Sequence, residues 1–107
     1  MNCSIVVGER LFIGCRDRRV FVYDKQTLEL QKVIEVAESV HCFCALKNET
    51  QVAIGMTEGN VLILDCSVDV VVLMEGKFRD VGGIWAMCGC NNDNDIAIGT
   101  IGGLFML

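Results

Sequence analysis

The residue types that most often carry out catalysis are scarce in this chain. It has one histidine, His41, so any Ser-His-Asp or Cys-His scheme must be built around that residue. Cys42 follows His41 in a segment that we predict to be a strand, where successive side chains point to opposite faces. Gly82-Gly83 and Gly102-Gly103 lack the lysine and the helix of a phosphate-binding loop. Because no set of catalytic roles can be filled, we predict that the chain is not an enzyme and holds no cofactor.

Two cysteine pairs have the composition of a metal or redox site. Together Cys42-x-Cys44 and Cys88-x-Cys90 could supply four thiolates to a zinc ion. The alternative is that cysteine serves here as a small apolar residue in buried strands. A spacing of one residue is unlike the usual two to four of zinc motifs, so we predict no metal site and leave a metal or redox role of these pairs open. The acidic segment 91–95 lacks the distal glutamate of a calcium loop, and we predict a turn there.

Candidate contacts with a partner come from four residues. Arg16, Arg18 and Arg19 surround Asp17 in one short polar segment. Guanidinium groups arranged in this way bind acidic or phosphorylated partners, although a solvated hairpin tip has the same composition. Trp85 lies in an apolar segment, where it could line a peptide-binding channel or pack in the core. We therefore take the three arginines and Trp85 as candidate partner contacts.

The elements that would position these residues repeat along the chain. The segment 51–65, QVAIGMTEGNVLILD, is typical of a hairpin of two apolar strands, and similar hairpins occur at 10–24 and, incomplete, at 95–107. The three hairpins align without gaps on glycines that are 41 and 44 residues apart (55 − 14 and 99 − 55), namely Gly14, Gly55 and Gly99. Periods of this length, made of short strands, are typical of propeller blades.

Two-residue alternation of valine, isoleucine and aromatic residues predicts eleven strands, four in each of the first two units and three in the third. The fourth strand of the first unit is more polar than the others, which suits an outer edge. Residues 75–80 are charged and are predicted to cross over to the third unit. The predicted strands are 3–7, 11–15, 20–23, 30–36, 41–46, 51–56, 61–64, 70–74, 83–88, 96–100 and 104–107.

Length and composition limit the function classes. The 107 residues make a single domain, which we divide into units 1–38, 39–80 and 81–107. The net charge of −5 disfavours a nucleic-acid partner. The uncharged segment 96–107 is shorter than the roughly 20 residues of a membrane-spanning helix, so we predict no membrane association. Seven cysteines without a signal sequence predict reduced thiols and a cytoplasmic location.

The segment 14–24, GCRDRRVFVYD, resembles the hairpin of WD-repeat β-propellers, in which alternating apolar residues end in Trp-Asp. Tyr23-Asp24 takes the place of that dipeptide and Asp17 that of the family's turn aspartate. In the second unit Leu64-Asp65 and Glu58 take these places. The resemblance implies an all-β fold, a partial β-propeller with about two complete four-stranded antiparallel blades plus an incomplete third.

Propellers of this family close into rings, which removes exposed sheet edges. A partial ring leaves apolar blade faces open, and such faces drive association. We therefore predict a protein-interaction scaffold whose ring is completed by other chains, including copies of itself as a homo-oligomer, or by a longer parent polypeptide. Two alternatives stay open: a propeller fragment of a larger multidomain enzyme, for example a kinase or GTPase, and a self-associating structural subunit.

Overall fold

The computed structural model describes residues 3–47, 49–77, 83–90, 95–100 and 103–106. Within these ranges all regular secondary structure is β-strand. The eleven strands are β1 (Cys3–Val7), β2 (Arg10–Gly14), β3 (Arg19–Asp24), β4 (Leu30–Glu35), β5 (Val40–Leu46), β6 (Gln51–Met56), β7 (Asn60–Asp65), β8 (Val71–Lys77), β9 (Ile84–Cys90), β10 (Asp95–Thr100) and β11 (Gly103–Met106).

The strands form three antiparallel sheets, each made of strands that follow one another in the chain. The first sheet has the order β1-β2-β3-β4, the second β5-β6-β7-β8, and the third β9-β10-β11. In the first sheet Gly14 of β2 faces Cys3 on one side and Val20 on the other. In the second, Gly55 faces Cys42 and Val61. The predicted all-β organisation, with two four-stranded sheets and a smaller third, is confirmed.

Most predicted strand boundaries differ from the structure by two residues or fewer, and the largest error is the end of the eighth strand. The charged residues 75–80 were assigned to a crossover, but β8 continues to Lys77, with Gly76 facing Val61 and Lys77 facing Asn60. Every residue of β8 is exposed, so Glu75 and Lys77 reach water from within a strand. Charge therefore does not mark the end of an edge strand. The predicted turn at 91–95 falls mostly on 91–94, which lie outside the described residues.

The three sheets stack face against face. Strands β1 and β2 contact β5, and β5 and β6 contact β9. The second sheet is covered on both faces, because consecutive residues from Val52 to Met56 are all buried. The core between the first two sheets includes Phe12, Val20, Val22, Val52, Ile54, Leu62 and Leu64. The core between the second and third includes Ala53, Val61, Ile63, Ile84, Ile96 and Ile98.

Two of the three repeat glycines lie where adjacent sheets approach most closely. A Cβ atom placed on Gly14 would lie 2.5 Å from Val40 Cγ1, and one on Gly55 would lie 2.5 Å from Ile84 Cγ2. At Gly99 the nearest described atom, the carbonyl oxygen of Ala86, is at 3.8 Å. Glycine at the first two positions therefore gives the next sheet's inner strand room to pack.

Candidate protein-binding site

The predicted arginine cluster lies in the tight turn between β2 and β3. We call residues Cys15–Arg19 the arginine turn. The Cys15 amide donates to the Arg19 carbonyl at 3.0 Å and closes it. Arg18 has a φ of 64°, the left-handed backbone conformation that such turns require. The side chains of Arg16, Arg18 and Arg19 are all exposed.

The segment that joins the first two sheets holds this turn in place. Residues Val36–Ser39, the crossover segment, run from β4 to β5. The Val36 amide donates to the Arg18 carbonyl at 3.0 Å, and the Ser39 hydroxyl donates to the Arg16 carbonyl. The Val40 amide donates to the Cys15 carbonyl at 3.4 Å. Since three carbonyls of the turn are bound from one side, its backbone is fixed while its arginine side chains face solvent.

The same segment also reaches the β6–β7 turn, through a residue that sequence reasoning missed. Glu38 is 7% exposed and accepts from the Glu58 amide at 2.7 Å and the Asn60 amide at 3.4 Å. The Asn60 side-chain amide donates to the second Glu38 oxygen, and Lys77 Nζ lies 3.4 Å from that oxygen. The Thr57 amide donates to the Ser39 carbonyl at 3.0 Å. One short segment thus fastens the β2–β3 turn to the β6–β7 turn.

Charge at the arginine turn is partly balanced. Asp17 forms an ion pair with Arg19, and both side chains are half exposed. The hydrogen bond from Arg19 to Asp17 is the main cause that raises the Arg19 pKa above its ordinary value. The Arg19 guanidinium carbon also lies 5.6 Å from the centre of the Phe21 ring. Arg18 and Arg19 line an open cleft together with the acidic residues Asp17 and Glu35.

The two aspartates that match the family's Trp-Asp dipeptide cap the turns that follow them. Asp24 Oδ1 accepts from the Gln26 and Thr27 amides at 2.9 and 3.0 Å. Asp65 Oδ1 accepts from the Ser67 amide at 2.8 Å and from its hydroxyl at 2.7 Å. These hydrogen bonds, led by the backbone amides, lower the pKa of both carboxyl groups. Their role is to shape the loops at the end of the sheets opposite the arginine turn.

The remaining candidates are placed only in part. Trp85 lies on β9, but its side chain is outside the described part of the structure, as are those of Cys88 and Cys90. Its predicted role as a partner contact therefore stays a prediction. The structure brings the three arginines together and does not test their association with Trp85.

The described cysteines are free thiols, and all of them except Cys15 pack in or against the cores between the sheets. Cys42 Sγ lies 3.5 Å from the Ile84 carbonyl oxygen, and burial is the main cause that raises the Cys42 pKa to about 11. Such a thiol is a poor nucleophile at neutral pH, because only the thiolate reacts. Among the residues that the structure describes, no group of three or more His, Cys, Asp or Glu side chains could hold a metal ion.

Comparison with solved structures identifies the fold. The crystal structure of the C-terminal WD40 domain of Sif2 matches with a TM-score of 0.78 and 11% sequence identity, over 95% of this chain and 31% of that one. The chain has the fold of WD40 propeller blades. The β-propeller domain of Cps50 (Swd1) from Myceliophteria thermophila matches with a TM-score of 0.77 and 15% identity, over 92% and 32%. No protein-family model and no curated protein matches the sequence.

The predicted partial β-propeller and its resemblance to WD-repeat blades are thus confirmed at the level of fold. The chain spans about a third of the length of the two domains it matches. We refer to the three sheets as the first, second and third blades, with β1, β5 and β9 as inner strands and β4 and β8 as outer strands. No helix in the described ranges is long and apolar enough to cross a membrane.

Proposed function

We propose that this chain is a non-catalytic protein-interaction scaffold that binds an acidic or phosphorylated segment of a partner at the arginine turn. The proposal depends on one observation: the crossover segment binds the carbonyls of Arg16 and Arg18, and Val40 at the start of β5 binds that of Cys15, all from one side. Arg18 and its neighbours therefore stand on a backbone that is already ordered, and binding does not have to order it.

The chemistry of the turn favours an anionic partner. Guanidinium groups bind carboxylate and phosphate with two parallel hydrogen bonds, which gives geometry as well as charge. The chain as a whole has a net charge of −5, so the arginine turn is a local positive site on an acidic molecule. A partner segment is steered to this turn by attraction there and by repulsion elsewhere.

Binding of a labelled anionic peptide tests this proposal. Fluorescence anisotropy is measured with fluorescein-labelled oligoglutamate and phosphoserine peptides at low salt. Arg18→Asn removes one cation while keeping a residue that tolerates the left-handed conformation, and we expect it to weaken binding about threefold to tenfold. Lys25→Asn, an exposed cation in the loop after β3, is the matched control. Equal affinities for the two variants would contradict a role for the arginine turn.

The open face of the first blade supports completion of the ring by further blades. By the glycine alignment, Leu11, Ile13, Phe21 and Tyr23 correspond to Val52, Ile54, Leu62 and Leu64 of the second blade. Those four are at most 5% exposed beneath the first blade, whereas their counterparts are only partly buried. We propose that this face receives another blade, from a copy of this chain, from a different chain or from a longer parent polypeptide.

Mass in solution tests closure by copies. Sedimentation equilibrium of the purified chain should give a fixed multiple of 11.8 kDa. Leu11→Lys should reduce that mass, because it places a charge at the centre of the open face, and Gln26→Lys in the exposed loop after β3 should not. A stable soluble monomer would contradict closure by copies. A catalytic domain in the same reading frame would favour the alternative of a propeller within a larger enzyme. That this chain is not an enzyme and that it is cytoplasmic both stay predictions.

A further inference from the structure

The outer strand of the second blade is an apolar edge. β8 is the last strand in the order β5-β6-β7-β8, and in the described part of the chain no strand pairs with its outer side. All seven of its residues are exposed. Four consecutive apolar residues, Val71 to Met74, are 41–56% exposed. Such an edge offers both backbone hydrogen-bonding groups and apolar side chains to another strand.

The outer strand of the first blade has polar residues at positions where β8 has apolar ones. Val22 and Ile63 are equivalent in the repeat, and they face Lys32 of β4 and Met74 of β8. The preceding residues, Gln31 and Leu73, are the irregular residues of the two strands, each without a Cα partner in the register. The two edges therefore have the same geometry. They differ because β4 has glutamine and lysine where β8 has leucine and methionine, and charged side chains on an edge strand disfavour edge-to-edge pairing. Lys32 Nζ also donates to the Val70 carbonyl of the second blade at 2.7 Å.

We propose that β8 pairs antiparallel with β8 of a second copy of this chain, in a register centred on Leu73. This register places Leu73 opposite its own counterpart and Val72 of one copy opposite Met74 of the other, while Val71 lies opposite Glu75. It also places Asp69 opposite Lys77 at both ends, so the ends are complementary in charge. The neighbouring symmetric register, centred on Val72 and shifted by two residues in the pairing, would instead place Asp69 opposite Glu75 and set like charges against each other.

This pairing is compatible with the contacts inside one copy. Asp69 is exposed, and Lys77 is half exposed while its Nζ lies 3.4 Å from Glu38. The contact is isologous, since the same strand serves both copies, and it closes with two molecules. It uses neither the arginine turn nor the open face of the first blade, so it does not rest on the proposed function.

Disulfide trapping tests the register. In the proposed pairing Leu73 faces its own counterpart, and directly opposed Cβ atoms on antiparallel strands are near enough for a disulfide. Under mild copper-catalysed oxidation, Leu73→Cys should form covalent dimer about tenfold faster than Gln31→Cys, the equivalent position of β4. The native chain, treated in parallel, gives the background from its own cysteines.

Sedimentation equilibrium tests the affinity. Met74→Lys introduces lysine, which β4 has at the equivalent position 32, and it should raise the dimer dissociation constant about tenfold or more. Val33→Lys, at an exposed position of β4, should leave it unchanged. Circular dichroism confirms that both variants fold. Equal cross-linking of the two cysteine variants, or a dissociation constant that Met74→Lys does not change, would overturn the proposal. Leu11→Lys should leave Leu73→Cys cross-linking intact, so failure of ring closure by copies is distinguishable from failure of this pairing.

Discussion

Substitution of Gly55 by alanine should force the second and third blades apart. The added Cβ would lie 2.5 Å from Ile84 Cγ2, 2.8 Å from Ile84 Cβ and 2.8 Å from Cys42 Sγ. Rotation of the Ile84 side chain relieves only the first contact, since its Cβ is fixed to the backbone of β9. Ordinary contact begins near 3.4 Å, so β6, which contains Gly55, and β9, which contains Ile84, would have to separate by about half an ångström or more.

The magnitude follows from two opposing effects. Overpacking of a well-packed core costs about 1–3 kcal/mol. Alanine also restricts the unfolded chain, which stabilises the fold by about 0.4–1 kcal/mol where the backbone conformation suits it. Gly55 does not have a positive φ, so this gain applies. We expect a net loss of about 1–2 kcal/mol in the free energy of unfolding. Gly14→Ala should behave alike, because its Cβ would lie 2.5 and 2.8 Å from Val40 Cγ1 and Cβ.

Gly99→Ala is the matched control at the equivalent position of the third blade. Among the atoms that the structure describes, its Cβ would meet only those of Ala86, at 3.8 and 3.9 Å, which is ordinary contact. Urea unfolding followed by circular dichroism should therefore show Gly99→Ala to be as stable as the native chain or slightly more so, and Gly55→Ala and Gly14→Ala to be less stable. Equal stability of all three variants, or destabilisation by Gly99→Ala alone, would refute the stacking argument.

Two further predictions concern the polar contacts. Glu38→Ala removes the buried acceptor of the Glu58 and Asn60 amides and should lower the free energy of unfolding by about 2–3 kcal/mol in urea titrations. Glu35→Ala, at an exposed position of β4, should change it by less than about 0.5 kcal/mol. Similar losses for the two variants would show that Glu38 has no special role. Asp24 and Asp65 have lowered pKa values in the folded state. The stability that they contribute is complete above the pKa of aspartate in the unfolded chain, which is about 4, and it is lost as the pH falls through the pKa of the folded state. The double variant Asp24→Asn/Asp65→Asn keeps the turn acceptors without titrating, so its urea midpoint should fall less on acidification; an unchanged pH profile would count against the caps.

The sequence predicted the blades because their determinants are local. The glycines at positions 14, 55 and 99 align the three units, and alternating apolar residues such as Phe12 and Val52 indicated the strands. The apolar pattern gave the strand order for the same reason: neighbouring strands in the sheets follow one another in the chain.

The contacts of Glu38 in the crossover segment could not be predicted in the same way. Glu38 binds backbone amides about twenty residues away. Because nearly every residue has a backbone amide, the residue types do not show which amides a buried carboxylate will bind. The one available signal was an acidic residue between two apolar strands, ahead of Val40, where a solvated loop has the same composition. The end of β8 was missed because Glu75 and Lys77 are compatible with either a loop or an edge strand.

Packing of adjacent sheets face to face fixes the arginine turn and leaves one face of the first blade open. Nuclear Overhauser spectroscopy on isotope-labelled chain tests it at the closest approach, between Gly55 Hα and the Ile84 methyl groups. We predict strong cross-peaks there and between Gly14 Hα and the Val40 methyl groups. Absence of both, in a sample that shows the Gly55–Val61 strand pairing of the second blade, would contradict the stacked blades.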